Sequence, residues 1–259
     1  MTLVGLEVAD GVAVIRLDNP PLNLFTREVT RALGDVLAAV AADDGVRSVV
    51  VTGAGTRAFS AGSDIKEFPA LMARGTVIED KLAQENAVFD RLARLPQPAI
   101  AAIDGVARGG GAELALCCDY RIIGESGRIG LPEIHLGTVP GSGGMARLPR
   151  LINPGTAIAL LLDGRPIDAR RALEIGLVNE IAPPGPCLEA AIARAREWAA
   201  RPGVASRAIK QAVLEASQDR VTAEIAASLP VSRAIFATAD MREGVAAFME
   251  KRPPRFQHR

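Results

Sequence analysis

Two apolar, strand-like runs of this 259-residue chain break on glycine-bearing turns and open into helix-like stretches. The first break is Ala58-Phe59-Ser60-Ala61-Gly62-Ser63-Asp64-Ile65-Lys66-Glu67, and the second is Gly109-Gly110-Gly111-Ala112-Glu113. A third piece follows, Leu131-Pro132-Glu133-Ile134-His135-Leu136-Gly137. Strands that alternate with helices predict an α/β fold with crossover connections. Such junctions also aim backbone N–H groups outward, where they meet a developing negative charge. The second and third segments add one carboxylate each. Two donor-bearing turns and two acids suit acyl-group chemistry better than a metal or a nucleophile.

The rest of the chain fits that plan. Strands are expected at 12–17, 47–52, 98–103 and 120–123, with helices at 26–42 and 112–118. The second half turns helical. Asn153-Pro154 reads as an N-cap and first-turn proline for a helix ending near Gly164, and 168–176 repeats that logic. Leu188, Ala191, Ile192, Ala195 and Ala199 share one apolar face, Pro202 closes that helix, and Ile209, Val213 and Leu214 mark the next. A boundary near Pro183-Pro184-Gly185-Pro186 separates an α/β core (1–185) from a helical region (186–259). No short repeat is legible.

Composition narrows the function classes. Hydrophobic residues make up 49% of the chain, and a chain this long buries roughly three quarters of its unfolded surface, so it needs no staples. Lys and Arg number 30, as do Asp and Glu, for a net charge of zero; nucleic acid as the main partner would favour a basic stripe. Cys117, Cys118 and Cys187 lack metal or disulfide-framework spacing, which implies a reducing compartment. The N-terminus has no basic region leading into an unbroken apolar run, and no apolar stretch approaches the ~20 residues that span a membrane. The expectation is a soluble, cytoplasmic protein with no membrane partner.

On these segments, in this order, the chain resembles the crotonase (enoyl-CoA hydratase/isomerase) superfamily, and within it the enoyl-CoA hydratases. The resemblance runs from near Val12 to Phe256. It implies a spiral of ββα units with a helical C-terminal trimerisation region, assembled as a homotrimer or a dimer of trimers. The activity implied is reversible addition of water across a 2-enoyl-CoA double bond, with an acyl-CoA substrate. Coenzyme A is then part of the substrate, and no metal or redox cofactor is needed. The Ser63 and Gly110 amides match the oxyanion hole, and Glu113 and Glu133 match the catalytic pair. Family precedent has Glu133 protonating Cα and Glu113 activating water. Arg57 and Lys66 would approach the phosphates of CoA, and the backbone near Ala61 its adenine.

Plainer readings stand beside these. Asp64 and Glu67 form a plausible capping box for a helix through Ile65 and Phe68. Arg57 and Lys66 are equally well read as solvated surface charges. His135 and His258 do not pair as metal ligands, and a structural role suits His135. Ser142, in Pro140-Gly141-Ser142-Gly143-Gly144, lacks a nucleophile elbow and reads as a tight loop under the acyl pocket. Gly53-Ala54-Gly55-Thr56-Arg57-Ala58 matches a dinucleotide fingerprint in letters, but the glycine-broken turn after it interrupts the required helix. The same scaffold would also serve a non-catalytic acyl-CoA binder, a carnitinyl-CoA-type dehydratase or an enoyl-CoA isomerase. Ser63, often alanine in hydratases, and the segment at 19–25 depart from the common pattern.

Overall fold

The computed structural model describes residues 2–257, the side chains of 215–218 excepted. Strands β1 (Val4–Ala9) and β2 (Val12–Leu17) form an antiparallel hairpin. Its two-residue turn puts both Asp10 and Gly11 at positive φ, 54° and 76°, the backbone that a tight hairpin with twisted strands requires. Sequence patterning missed β1. Leu6 and Val8 are exposed on this edge strand, so no buried face marks it.

After helix α1 (Arg27–Ala42), the chain repeats one move three times. A buried strand enters a six-stranded sheet, and a three-residue strand follows in a second sheet. The pairs are β3 (Ser48–Gly53) with β4 (Ala58–Ser60), β5 (Ala99–Ile103) with β6 (Val106–Arg108), and β7 (Tyr120–Ile123) with β8 (Arg128–Gly130). Helices α2 (Phe68–Arg74) and α3 (Ala83–Ala93) close the first turn, and α4 (Gly110–Ala115) closes the second. The third continues through α5 (Gly144–Leu151), α6 (Pro154–Asp163), β9 (Ile167–Asp168), α7 (Ala169–Glu174) and β10 (Glu180–Ile181). The sheets run β1-β2-β3-β5-β7-β10 and β4-β6-β8-β9, parallel from β2 to β7 and from β4 to β8. This is the expected spiral of ββα units.

Parallel strands covered on both faces need continuous apolar runs, which explains Ser48–Gly53 and Ala99–Ile103, buried throughout. Val29, Leu33, Leu37 and Val40 of α1 cover one face. Helix α8 (Cys187–Ala199) begins just after the proline-rich loop at 183–186 and covers the other, setting Ala191, Ala195 and Ala199 against Val50, Ile100 and Ile122. Helices α9 (Gly203–Phe236) and α10 (Ala239–Glu250) complete the chain.

Two boundaries differ from expectation. The helix expected at 112–118 starts at Gly110 and ends at Ala115, because Cys117 and Cys118 bond three residues back rather than four. The capping box at 64–67 is only half formed. Asp64 Oδ1 accepts from the Lys66 amide at 3.1 Å, but Glu67 turns away to the buried Lys81 ammonium at 2.8 Å. An ion pair with a desolvated cation outweighs one capping bond.

Candidate active site

The first glycine turn reaches the second through a close backbone approach. Gly62 has φ +94°, and a Cβ there would lie 2.7 Å from the Arg108 carbonyl oxygen and 3.1 Å from the Gly110 nitrogen. Only glycine permits both. Around it the chain is tied down: Ala61 N donates to Leu22 O, Gly62 N to Ser60 Oγ, Asp64 N to Phe25 O and Gly109 N to Gly130 O. The Ser63 and Gly110 amides donate to no group among the described residues, and both residues line one cavity. Two unpartnered amides converging on a cavity are what an oxyanion requires. The segment at 19–25 supplies much of the bracing. Asn23 Nδ2 holds the Ala58 carbonyl at 2.8 Å, and Leu22 and Phe25 hold the turn.

Glu113 and Glu133 line the same cavity, of about 80 Å³, with Ala61, Gly109, Thr138 and Ser142. Glu113, on α4, is 2% exposed. Its Oε1 accepts from the Ser142 and Gly144 amides, both at 2.8 Å. Burial nonetheless pushes its carboxyl up to about 7, assisted by the neighbouring charge of Glu85 and opposed by the two amides. Glu133 opens a 3₁₀ turn, Glu133–Leu136, after Pro132. Burial, then the charge of Glu113, raises its carboxyl well above the usual range. Glu133 Oε2 and Thr138 Oγ1 are buried with no hydrogen-bond partner among the described residues. Buried polar atoms seldom stay unpaired without a ligand or water to serve.

The sequence profile of the enoyl-CoA hydratase/isomerase family matches residues 7–259. The chain belongs to that family. A probable enoyl-CoA hydratase of Bacillus subtilis (strain 168) is 38% identical, with 99% of each chain covered. A crotonyl-CoA hydratase of Syntrophomonas wolfei is 36% identical over 97% of this chain and 96% of its own. Among solved structures, a carnitinyl-CoA hydratase from Mycobacterium avium superposes with a TM-score of 0.84 at 33% identity, covering 100% of both chains.

In this member of the enoyl-CoA hydratase/isomerase family, the remaining candidates separate cleanly. Ala61 lines the cavity, whereas Arg57 and Lys66 are exposed on the outer flank of the first turn. Neither cation forms a salt bridge among the described residues. His135 is exposed beside Gly164 and does not line the cavity, and His258 lies outside the described residues. Burial raises the Cys117 thiol to about 11 and the Cys187 thiol to about 12, which removes them as nucleophiles. The dinucleotide-like letters at 53–58 run from β3 into β4 with no helix, so that reading fails.

One group escaped the sequence reading altogether. Glu85, on α3 and 1% exposed, accepts from Ser63 Oγ at 3.0 Å and Ser142 Oγ at 2.6 Å, and lies 3.2 Å from Lys81 Nζ. Locally it shows only an i,i+4 pairing with Lys81, as is common on any charged helix, while its two serine partners are 22 and 57 residues away.

Proposed function

We propose that the protein is an enoyl-CoA hydratase that adds water reversibly across a 2-enoyl-CoA double bond. The observation that carries this reading is the meeting of two unpartnered amides, from Ser63 and Gly110, with two carboxyl groups of raised proton affinity around one cavity. The thioester carbonyl sits between the amides, which stabilise the enolate charge that forms when water attacks Cβ. Glu113 takes a proton from the attacking water. Glu133, which lines the cavity, delivers a proton to Cα. Water's oxygen thus bonds to Cβ, a proton ends on Cα, and no covalent enzyme intermediate forms. Buried together, like charges resist double ionisation, so one carboxyl stays protonated while its neighbour is a base.

Arg57 and Lys66 would meet the CoA phosphates and the backbone near Ala61 the adenine, with coenzyme A as part of the substrate and no separate cofactor. Ile65, Phe68, Leu82, Leu136 and Val139 give the cavity an apolar wall, which together with its small volume supports a short acyl group in a β-oxidation-type reaction. Exposed Val204, Ile209, Val213 and Val231 on α9 support assembly through the helical region as a trimer or a dimer of trimers. Among the described residues no helix is long and apolar enough to cross a membrane, and the three free cysteines suit the cytoplasm.

The likeness to a carnitinyl-CoA hydratase supports a second substrate, a hydroxylated acyl-CoA dehydrated by the same two acids. The decisive assay follows loss of the enoyl-thioester ultraviolet absorbance over enoyl-CoAs of increasing chain length, and its gain when carnitinyl-CoA is offered. Turnover of short enoyl-CoAs is expected. Turnover of none of them, by protein that still binds acyl-CoA, would leave the non-catalytic binder standing.

A further inference from the structure

The network beneath the cavity links parts of the site that are remote in sequence. Lys81 is 1% exposed and lies in the π-helical turn Ile78–Leu82 that leads into α3; such turns gather at functional sites. Its ammonium donates to Phe25 O at 3.0 Å and Glu67 Oε2 at 2.8 Å, and meets Glu85 Oε1 at 3.2 Å. Phe25 is itself bonded on both sides of Ser63, its amide to Gly62 O and its carbonyl to the Asp64 amide. Glu85 then reaches Ser63 through one oxygen and Ser142 through its second. The Ser142 amide in turn holds Glu113. One buried ion pair therefore touches the oxyanion turn twice and the cradle of a proposed catalytic acid once. A carboxylate is acceptor-only, so both serine hydroxyls must point their hydrogens at it.

We propose that Glu85, anchored by Lys81, is a positioning residue that locks the Ser63 turn and the Ser142 cradle of Glu113 into one fixed relation. This rests on the hydratase reading for its kinetic consequence, but the geometry it concerns is that of any thioester held by the Ser63 and Gly110 amides. Nothing in Glu85 touches the reacting atoms; it does not line the cavity. It acts through the two serines. Its charge also bears on the acids. Glu113 is faced by Glu85, Glu133 and Arg147, and Glu133 by Glu113, Glu85 and Arg108. In both carboxyls the Glu85 charge favours the protonated form.

Glu85→Gln is the direct test, because Lys81 keeps Glu67 as its partner and the pocket keeps its volume. An amide cannot accept from both serines and also face the ammonium as an acceptor. The expected result is a fall in kcat of about ten- to a hundredfold, the scale of a sub-ångström to 1 Å misplacement, with KM little changed. The acid limb of the pH–rate profile should move to lower pH, since one like charge is gone. A structural lesion alone would lower the amount of active enzyme and leave the profile where it was. The carbonyl stretch of a bound saturated acyl-CoA, read by infrared difference, should show weaker polarisation in Glu85→Gln than in the unchanged protein. That readout needs no turnover, so it stands even if the protein hydrates no enoyl-CoA tested.

If Glu85→Gln does not fold, Ser63→Ala with Ser142→Ala keeps the ion pair and cuts both ties, and the same loss is expected. Wild-type kcat and carbonyl polarisation in whichever variant folds would overturn the proposal, as would an unmoved acid limb in folded Glu85→Gln.

Discussion

At the floor of the cavity, Glu113 is 2% exposed and clasped by two amides, and Glu133 holds a buried oxygen with no partner. Outside it, Arg57 and Lys66 flank the same turn, exposed to solvent. Both regions carry charge, yet the physics is opposite. In the floor, desolvation governs: it raises both carboxyls, fixes distances and makes every missing bond expensive. Outside, water and salt screen each charge, so a cation there contributes little individually and tolerates movement. In the proposed hydratase, chemistry that needs placement would fall to the first region and capture of an anionic tail to the second.

The sharpest way to break that contrast is to neutralise the floor. Glu113→Gln keeps an oxygen for the Ser142 and Gly144 amides, and Glu133→Gln is of equal size, so both variants should fold. Each is expected to lose about 10²–10⁴ in kcat, the usual value of a positioned acid or base. Steady-state hydration kinetics on protein verified by circular dichroism checks this; two variants within tenfold of the parent would remove the acid pair from the mechanism.

Next in size is a backbone lesion. Gly62→Ala must hold φ near +94° with a methyl 2.7 Å from the Arg108 carbonyl oxygen, so the turn has to shift. Because the proposed oxyanion donors are main-chain amides, no side-chain deletion removes them, and displacement is the only available injury. A loss of about 10² in kcat is expected, the scale for a 1 Å misplacement. Full activity in the folded variant would show that the turn has slack that the packing around Gly62 denies.

Those two segments were legible because their chemistry is local. Gly62, Gly109 to Gly111 and the acids beside them sit in short, ordered motifs, and strands such as Ser48–Gly53 announce themselves by continuous burial. The repeat of the spiral was not legible, since β4, β6 and β8 are three residues each and carry no period to detect. Glu85 and Lys81 were invisible for a different reason. They read as an ordinary i,i+4 charge pair on a helical stretch, and only contacts 14 to 57 residues away in sequence tie that pair to the site. Glu67 misled for the same reason, its local capping role losing to a distant ammonium.

The pH profile sharpens the contrast within the floor itself. In the proposed mechanism Glu113, with its carboxyl near 7, must be ionised to take a proton from water, so the rate should fall as pH drops below about 7. Glu133, raised well above the usual carboxylate range, would have to stay protonated in that mechanism to deliver its proton, so the rate should fall again as pH climbs through its ionisation. The expected kcat/KM profile is a bell whose limbs belong to the pair rather than to single residues. A flat rate from acid to alkaline pH would mean that solvent reaches the floor and the carboxyls behave as exposed ones.

The smallest effects are expected outside the cavity, and they test the exterior half of the comparison. Arg57→Ala and Lys66→Ala each remove a solvated cation, for which about 0.2–1 kcal/mol is typical. KM should therefore rise only about two- to fivefold per variant, with kcat unchanged, because neither side chain meets the reacting atoms. Raising salt should erase most of that difference by screening the parent's attraction to the substrate phosphates. A truncated thioester lacking the nucleotide should show no difference between parent and variants at any salt concentration. A drop in kcat instead, persisting at high salt and with the truncated substrate, would place these cations in the mechanics of the turn and erase the division between a fixed floor and a screened exterior.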